Sequence, residues 1–221
     1  MRLGVVVAFE AEIGRIDEQG EISTVCGVRY AEVPLGGNTA VIALSGIGKV
    51  NAGACVQVLV SVLKCDAILN IGLAGNACDL PLGGAVLADR VVYHDLFPED
   101  FISQDAPGTS EFIPDGRMRE TARQILEEMG VVYRDGTVAS GDQFIYKSED
   151  KKRICEQFGA VACEMEGGAI AQVCHLNQIP CAILRAISDG ADEGASMSYA
   201  AFAAKAAENS AKALLDFIKG Q

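Results

Sequence analysis

Short apolar runs that alternate with helical patterns limit the possible folds of this chain more than any other feature. A continuous apolar run such as "RLGVVVAF" is typical of a strand that is covered on both faces of a sheet. The predicted strands are residues 2–9, 28–35, 38–46, 66–72, 84–95, 131–138, 160–165 and 181–188, and the predicted helices are residues 49–63, 115–129, 166–177 and 198–219. Without a linker or a repeat, this order predicts one α/β domain over residues 1–221, with a central mixed β-sheet flanked by helices.

Charge and composition exclude several classes of function. The net charge of −12 argues against nucleic acid and polyanionic substrates as partners, and leaves small neutral or zwitterionic molecules. The chain has no run of eighteen apolar residues and no signal-peptide pattern, so we expect a cytoplasmic protein without membrane contact. Its two histidines have no metal-binding spacing, and its eight cysteines lie mostly in apolar surroundings. The sequence therefore predicts no metal and no cofactor.

Polar and small residues follow most of the predicted strands. In open α/β sheets, ligands bind at the carboxyl ends of the strands, so these residues are candidates for one binding site. They are Glu10 and Glu12, the turn 45–48, Gly72, Leu73, Ala74 and Gly75, then Gln143, Phe144 and Ile145, Met165 and Glu166, and finally Ser188 and Asp189.

Two carboxylates flank Met165 where a buried strand meets an apolar helix. A buried charge costs several kcal/mol unless it is paired or hydrogen-bonded. We expect Glu164 to point away from the site and to pair with a neighbour such as Arg185. Glu166 is either a charge at the start of a helix or a group that holds a ligand.

Five motifs together resemble the nucleoside phosphorylase/hydrolase superfamily and, within it, the bacterial 5′-methylthioadenosine/S-adenosylhomocysteine nucleosidases. The motifs are "AFEAE" (8–12), "SGIGKVNA" (45–52), "SGDQFI" (140–145), "CEMEGGAIA" (163–171) and "RAISDGAD" (185–192). Their order and spacing carry the resemblance over nearly the whole chain. It implies a nucleoside phosphorylase-like fold and a hydrolase that cuts the bond between adenine and ribose with water.

The resemblance also implies roles for individual residues. Asp189 would be the general acid on adenine N7, Glu12 the base that activates water, and Glu166 the group that holds the ribose hydroxyls. Phe144 would stack on adenine and the Ile145 backbone would read its edge, while Met165 would line the ribose. The remaining substrate contacts would come from Phe9, Ile47, Leu73, Ala74, Gly75, Ser188 and Tyr199, and from Phe101 of a neighbouring subunit in a homodimer.

The residues by themselves leave other interpretations open. Asp189 could cap a loop, and either Glu10 or Glu12 could be the base or a simple helix-start charge; only the resemblance selects Glu12. Lys49 lies in a "GIGK" turn that lacks the phosphate-loop pattern, so we interpret it as a structural charge. We interpret His94 as a structural histidine with satisfied hydrogen bonds.

Three other functions remain possible. A phosphorylase of the same fold would need cations for phosphate, and the motifs offer no such cluster. An aminofutalosine-type hydrolase is favoured by Leu73, which stands where the family usually has Ser or Thr. A non-catalytic nucleoside-binding protein would not need Glu12, Glu166 and Asp189 together.

Overall fold

A computed structural model describes residues 1–12, 20–35, 37–96 and 103–195. The strands in these residues are β1 (Arg2–Val7), β2 (Glu21–Val25), β3 (Val28–Leu35), β4 (Asn38–Leu44), β5 (Ala67–Asn76), β6 (Ala85–Tyr93), β7 (Glu111–Phe112), β8 (Tyr133–Ser140), β9 (Ala160–Glu164) and β10 (Cys181–Asp189). The helices are α1 (Lys49–Ser61), α2 (Gly116–Glu128), α3 (Ser148–Phe158) and α4 (Gly167–Asn177), with a 3₁₀ turn at Glu10–Glu12. The predicted helix 198–219 lies outside the described residues, as do Phe101 and Tyr199.

The strands form one mixed sheet in the order β10-β6-β8-β9-β5-β1-β4-β3-β2, with β7 beside β6. β10 also pairs with β5, so that β5, β10, β6, β8 and β9 form a closed ring. The parallel pairing of β5 with β10 sets Asp189 opposite Gly75, and the antiparallel pairing of β5 with β9 sets Gly75 opposite Cys163. Three strand ends therefore meet at one point of the ring.

Helices cover both faces of the sheet, as the apolar runs indicate. α1 and α4 bury small and branched side chains such as Ala52, Leu59 and Ile170 in one core cluster. α2 buries Met118 and Leu126 in a second cluster on β1, β5 and β10. The expected α/β class with a central mixed sheet is confirmed.

The predicted elements that fall in the described residues are present with small shifts at their ends, but the prediction omits the strands β2 and β7 and the helix α3. β2 has the sequence "EISTV" and is largely exposed, because it is the last strand of the sheet and, among the described strands, pairs with β3 alone. A strand that buries little needs no apolar run, so the sequence pattern gives no signal for it.

Among the described residues, no helix combines the length and hydropathy needed to span a lipid bilayer.

Candidate active site

A cavity of about 380 Å³ opens where β1, β5, β9 and β10 end. Its volume lies within the range of small-molecule sites. It is lined by Phe9, Glu12, Ile47, Leu73, Ala74, Gly75, Phe144, Cys163, Glu164, Met165, Glu166, Ser188 and Asp189. Ile145 lines a small recess beside it, together with Gln143 and Phe144. The structure thus brings together all the described residues to which the resemblance assigns a role, whereas the candidates Glu10 and Gly72 do not line the cavity.

Glu12 reaches the cavity from the 3₁₀ turn after β1. Its side chain is buried, and its two carboxylate oxygens accept hydrogen bonds from the backbone amides of Ala8 (2.7 Å) and Leu73 (2.9 Å). Burial raises the pKa of Glu12, and Arg185 and the amide hydrogen bonds only partly oppose this effect. Glu10 instead lies at the surface and pairs with Arg29 at 3.0 Å. The two glutamates, which the sequence could not distinguish, therefore differ in location: Glu12 lies at the cavity and Glu10 lies at the surface.

Arg185 and Glu164 form a buried ion pair, as expected, but the expectation that Glu164 points away from the site is wrong, because Glu164 also lines the cavity. Arg185 Nη2 also donates to Asn70 Oδ1 at 2.7 Å. Glu164 accepts further hydrogen bonds from the Ser140 hydroxyl and from the backbone amides of Glu166 (3.0 Å) and Gly167 (2.7 Å). These contacts satisfy the hydrogen-bonding capacity of the Glu164 carboxylate and fix the start of α4.

Glu166 turns toward the cavity. Its Oε1 accepts a hydrogen bond from the Gly48 amide at 2.9 Å, and its Oε2 lies 3.6 Å from Arg185 Nη2. Burial raises the pKa of Glu166 to about 7, against the lowering effect of Arg185 and the Gly48 amide. The neighbouring Glu164 and Glu12 contribute to the increase. At neutral pH this carboxyl group can therefore either accept or donate a hydrogen bond to a bound hydroxyl group.

Asp189 is the last residue of β10 and lines the cavity. It is 1% exposed, and its oxygens accept hydrogen bonds from the Ser188 hydroxyl (2.8 Å) and the Ala191 amide (2.9 Å). Burial raises the pKa of Asp189, although both hydrogen bonds act in the opposite direction. Asp189 therefore caps the loop after β10 through the Ala191 amide, and the same carboxyl group also lines the cavity.

The loop between β8 and α3 forms the other side of the site. Phe144 is 44% exposed at the cavity, whereas Ile145 is buried.

Lys49 forms an ion pair with Asp95 at 2.6 Å, which confirms the expected structural charge. The expectation for His94 is wrong, because neither nitrogen of this buried ring has a hydrogen-bond partner among the described residues.

Sequence reasoning did not assign Cys163, Glu164 or Asn70 to the surroundings of the site. Cys163 and Glu164 line the cavity because β9 ends beside Gly75 of β5. Asn70 is one of the few polar residues inside a buried strand and supports Arg185 from there. A polar residue within an otherwise apolar strand is the signal that could have identified it.

The ring of strands and the cavity lined by four acidic side chains define an α/β protein with a site for a small molecule that carries polar groups. The family model described as the phosphorylase superfamily matches residues 2–219. A 5′-methylthioadenosine/S-adenosylhomocysteine nucleosidase from Shewanella pealeana is 34% identical, with 96% of each chain covered. The aminodeoxyfutalosine nucleosidase of Helicobacter pylori is also 34% identical, over 98% of this chain and 97% of its own.

A comparison with solved structures indicates the same family as these relatives. The 5′-methylthioadenosine/S-adenosylhomocysteine nucleosidase from Neisseria meningitidis, in complex with methylthio-immucillin-A, superposes with a TM-score of 0.94 at 33% identity. The match covers 100% of this chain and 99% of that structure. The chain belongs to the phosphorylase superfamily and, within it, to the family of the 5′-methylthioadenosine/S-adenosylhomocysteine nucleosidases.

Proposed function

We propose that this protein hydrolyses the N-glycosidic bond of 5′-substituted adenosines such as 5′-methylthioadenosine, S-adenosylhomocysteine and 5′-deoxyadenosine. The products are adenine and the 5-substituted ribose. The observation that carries this proposal is the grouping of Glu12, Glu166 and Asp189, all buried and all with raised pKa values, around one cavity. The names of the relatives support the same activity.

Departure of adenine needs an acid. Breaking the bond between C1′ and N9 leaves negative charge on the base, and a proton delivered to N7 neutralises it. We assign this step to Asp189, because burial helps its carboxyl group to keep a proton that a free aspartic acid would lose near neutral pH. General acid catalysis of this type contributes about 10²–10⁴-fold to a rate.

Attack by water needs a base and a stabilised sugar cation. As water forms its bond to C1′, Glu12 would accept the proton, and its raised pKa makes it a better acceptor than an exposed glutamate. Glu166 would hold the ribose hydroxyls and place negative charge near the ribosyl group as it becomes positive. This interaction is stronger in the transition state than in the ground state, which is the condition for catalysis.

The cavity supports hydrolysis rather than phosphorolysis. A phosphate group would need free backbone amides or cations. The amides of Ala8 and Leu73 already donate to Glu12, and that of Gly48 donates to Glu166. Glu12, ionised as the proposed base, would repel a phosphate dianion, so water is the better nucleophile here.

An aminofutalosine-type hydrolase is the second candidate. Leu73 packs with Ala186 and Phe9 and forms an apolar wall of the cavity. A relative named aminodeoxyfutalosine nucleosidase is as similar to this chain as the methylthioadenosine nucleosidases are. Adenine leaves in both reactions, so the two candidates share Asp189 as the acid and differ in the 5′ group.

Adenine release from a panel of nucleosides in phosphate-free buffer tests the proposal. We expect release from 5′-methylthioadenosine and S-adenosylhomocysteine without added phosphate. Release from the aminofutalosine nucleoside alone would select the second candidate. A strict requirement for phosphate would identify a phosphorylase, and binding without any adenine release would contradict catalysis.

We further propose that the active form is a homodimer. Val50 at the start of α1, Leu176 near the end of α4 and Ile113 after β7 are 82%, 52% and 68% exposed. The rings of Phe112 and His175 lie 5.9 Å apart, so β7 packs against the end of α4. Large exposed apolar side chains on these neighbouring elements favour burial against a second copy. A monomer at micromolar concentration in sedimentation, still fully active, would contradict the dimer.

A further inference from the structure

Two carboxylates from distant parts of the chain cap the start of α1. The first amides of a helix have no partner within the helix. Gly48, which precedes α1 and has φ of 96°, offers no side chain to them. Its own amide donates to Glu166 Oε1 at 2.9 Å, and the next amide, that of Lys49, donates to Asp142 Oδ1 at 2.8 Å. Glu166, which is proposed to bind the ribose, and Asp142, which lies in the loop proposed to bind adenine, thus accept hydrogen bonds from adjacent amides.

Asp142 is itself held in place. Its amide donates to Asp95 Oδ2 at 2.8 Å, and the Lys49 ammonium group contacts Asp95 Oδ1 at 2.6 Å and Asp142 Oδ2 at 3.8 Å. A Cβ atom on Gly48 would lie only 3.1 Å from Asp142 Oδ1, so the carboxylate rests directly against the turn. This network joins the ends of β6 and β8 to the first turn of α1.

From these contacts we infer that Asp142 is a positioning residue for ribose recognition. It fixes the first turn of α1, so that the Gly48 amide holds Glu166 toward the cavity. The inference rests on the proposed function, in which Glu166 binds the ribose hydroxyls. Asp142 precedes Phe144 by two residues, and the same contact therefore links the proposed adenine-binding loop to the ribose-binding carboxylate.

A purely structural role for Asp142 would give a different result. A helix cap stabilises a protein by about 1 kcal/mol, and its loss would affect every substrate equally. Loss of a positioning contact would affect only substrates whose hydroxyls need Glu166. The other charged groups around Glu166 are Arg185, Glu164 and Glu12. The hydrogen bonds and ion pairs of Asp142 in the described residues instead involve Lys49 and Asp95.

The test compares Asp142→Ala with Asp142→Asn, which keeps an acceptor oxygen for the Lys49 amide but removes the charge. Glu156→Ala, at an exposed site on α3, controls for the loss of a surface carboxylate. Each protein is assayed with 5′-methylthioadenosine and with its 2′,3′-dideoxy analogue. We expect Asp142→Ala to reduce the preference for the hydroxylated substrate, in kcat/KM, by about tenfold.

In the same assay, we expect Asp142→Asn to stay within about twofold of the native preference and Glu156→Ala to match it. Equal losses on both substrates in Asp142→Ala would mean that Asp142 is only structural, and would overturn the inference. An equal loss of preference in the Asn variant would also overturn it, because the acceptor oxygen is retained there.

Hydrogen exchange of the ligand-free protein provides a readout that does not depend on activity. We expect the Gly48 and Lys49 amides to exchange about tenfold faster or more in Asp142→Ala than in the native protein, with Asp142→Asn between them. Unchanged exchange at Gly48 would overturn the inference even in an active enzyme. If the native protein released no adenine from either substrate, the proposed function would fail, and exchange at Gly48 would still decide whether Asp142 holds this turn.

Discussion

Each of the three cavity carboxylates with a proposed catalytic or binding role is fixed by a different set of donors. Glu12 accepts two backbone amides, Glu166 accepts one, and Asp189 accepts one amide and one hydroxyl group. Burial is the largest influence on all three and raises each pKa. At the residue scale, the site therefore orients its carboxylates with hydrogen bonds while burial keeps protons available to them.

Replacement of the proposed acid is the most direct test at this scale. Asp189→Asn keeps the size of the side chain and can still accept the Ala191 amide, but it has no acidic proton. We expect kcat for 5′-methylthioadenosine to fall by about 10²-fold or more, with little change in thermal stability. Steady-state adenine release and a melting curve measure the two quantities. Near-normal turnover would assign the acid to another group.

The base can be tested with a matched pair of variants. Glu12→Gln removes the proton acceptor inside the cavity, whereas Glu10→Gln changes only an exposed side chain paired with Arg29. We expect the first variant to lose about 10²-fold or more in kcat and the second to stay within about twofold of the native enzyme. A large loss in Glu10→Gln with an active Glu12→Gln would reverse the assignment.

At the scale of elements, the closed ring requires β5 and β10 to approach closely around Arg185. A Cβ atom on Gly72 of β5 would overlap the Arg185 guanidinium group and lie 2.8 Å from Glu12 Oε1. Only glycine leaves room there for both the ion pair and the proposed base. Gly53 on α1 differs, because its nearest neighbour, the Val173 side chain, would lie at an ordinary 3.6 Å.

These two glycines predict opposite effects of the same substitution. Gly72→Ala should lower the free energy of unfolding by about 1–3 kcal/mol, because Arg185 or Glu12 must move, and should reduce activity with it. Gly53→Ala should be neutral or stabilising by up to about 1 kcal/mol, because alanine favours a helix. Urea unfolding with an adenine-release assay measures both. A Gly72→Ala protein as stable and active as the native one would contradict the close packing.

The sequence predicted most of the buried strands and helices because their apolar runs report burial directly, but it missed α3, in which only Ile154 and Phe158 are buried. It also pointed to residues that line the cavity, since strand ends and the resemblance indicated the same positions. It could not predict the closure of the ring by β5 and β10, because pairing between strands far apart in sequence leaves no local pattern. The unpartnered ring of His94 and the cap that Asp142 provides for α1 are long-range features of the same kind.

At the scale of the whole molecule, the burial of Glu166 makes the free energy of unfolding depend on pH. Burial raises the pKa of Glu166 in the folded protein to about 7, whereas an unperturbed glutamate has a pKa of about 4.5. Between these two values the folded state holds more protons than the unfolded state. The contribution of Glu166 to stability is therefore fully present below about pH 4.5 and is lost as the pH rises through about 7.

Comparison of the native protein with Glu166→Gln isolates this effect, because glutamine stays neutral at every pH. From pH 5 to pH 8 we expect the native free energy of unfolding to fall by on the order of 2–3 kcal/mol more than that of the variant. Urea unfolding at both pH values and one fixed protein concentration gives the difference, and contributions from other groups largely cancel. If the two proteins changed in parallel, Glu166 would be ionised throughout this range, and the charge that it offers the ribosyl cation would not depend on pH near neutrality.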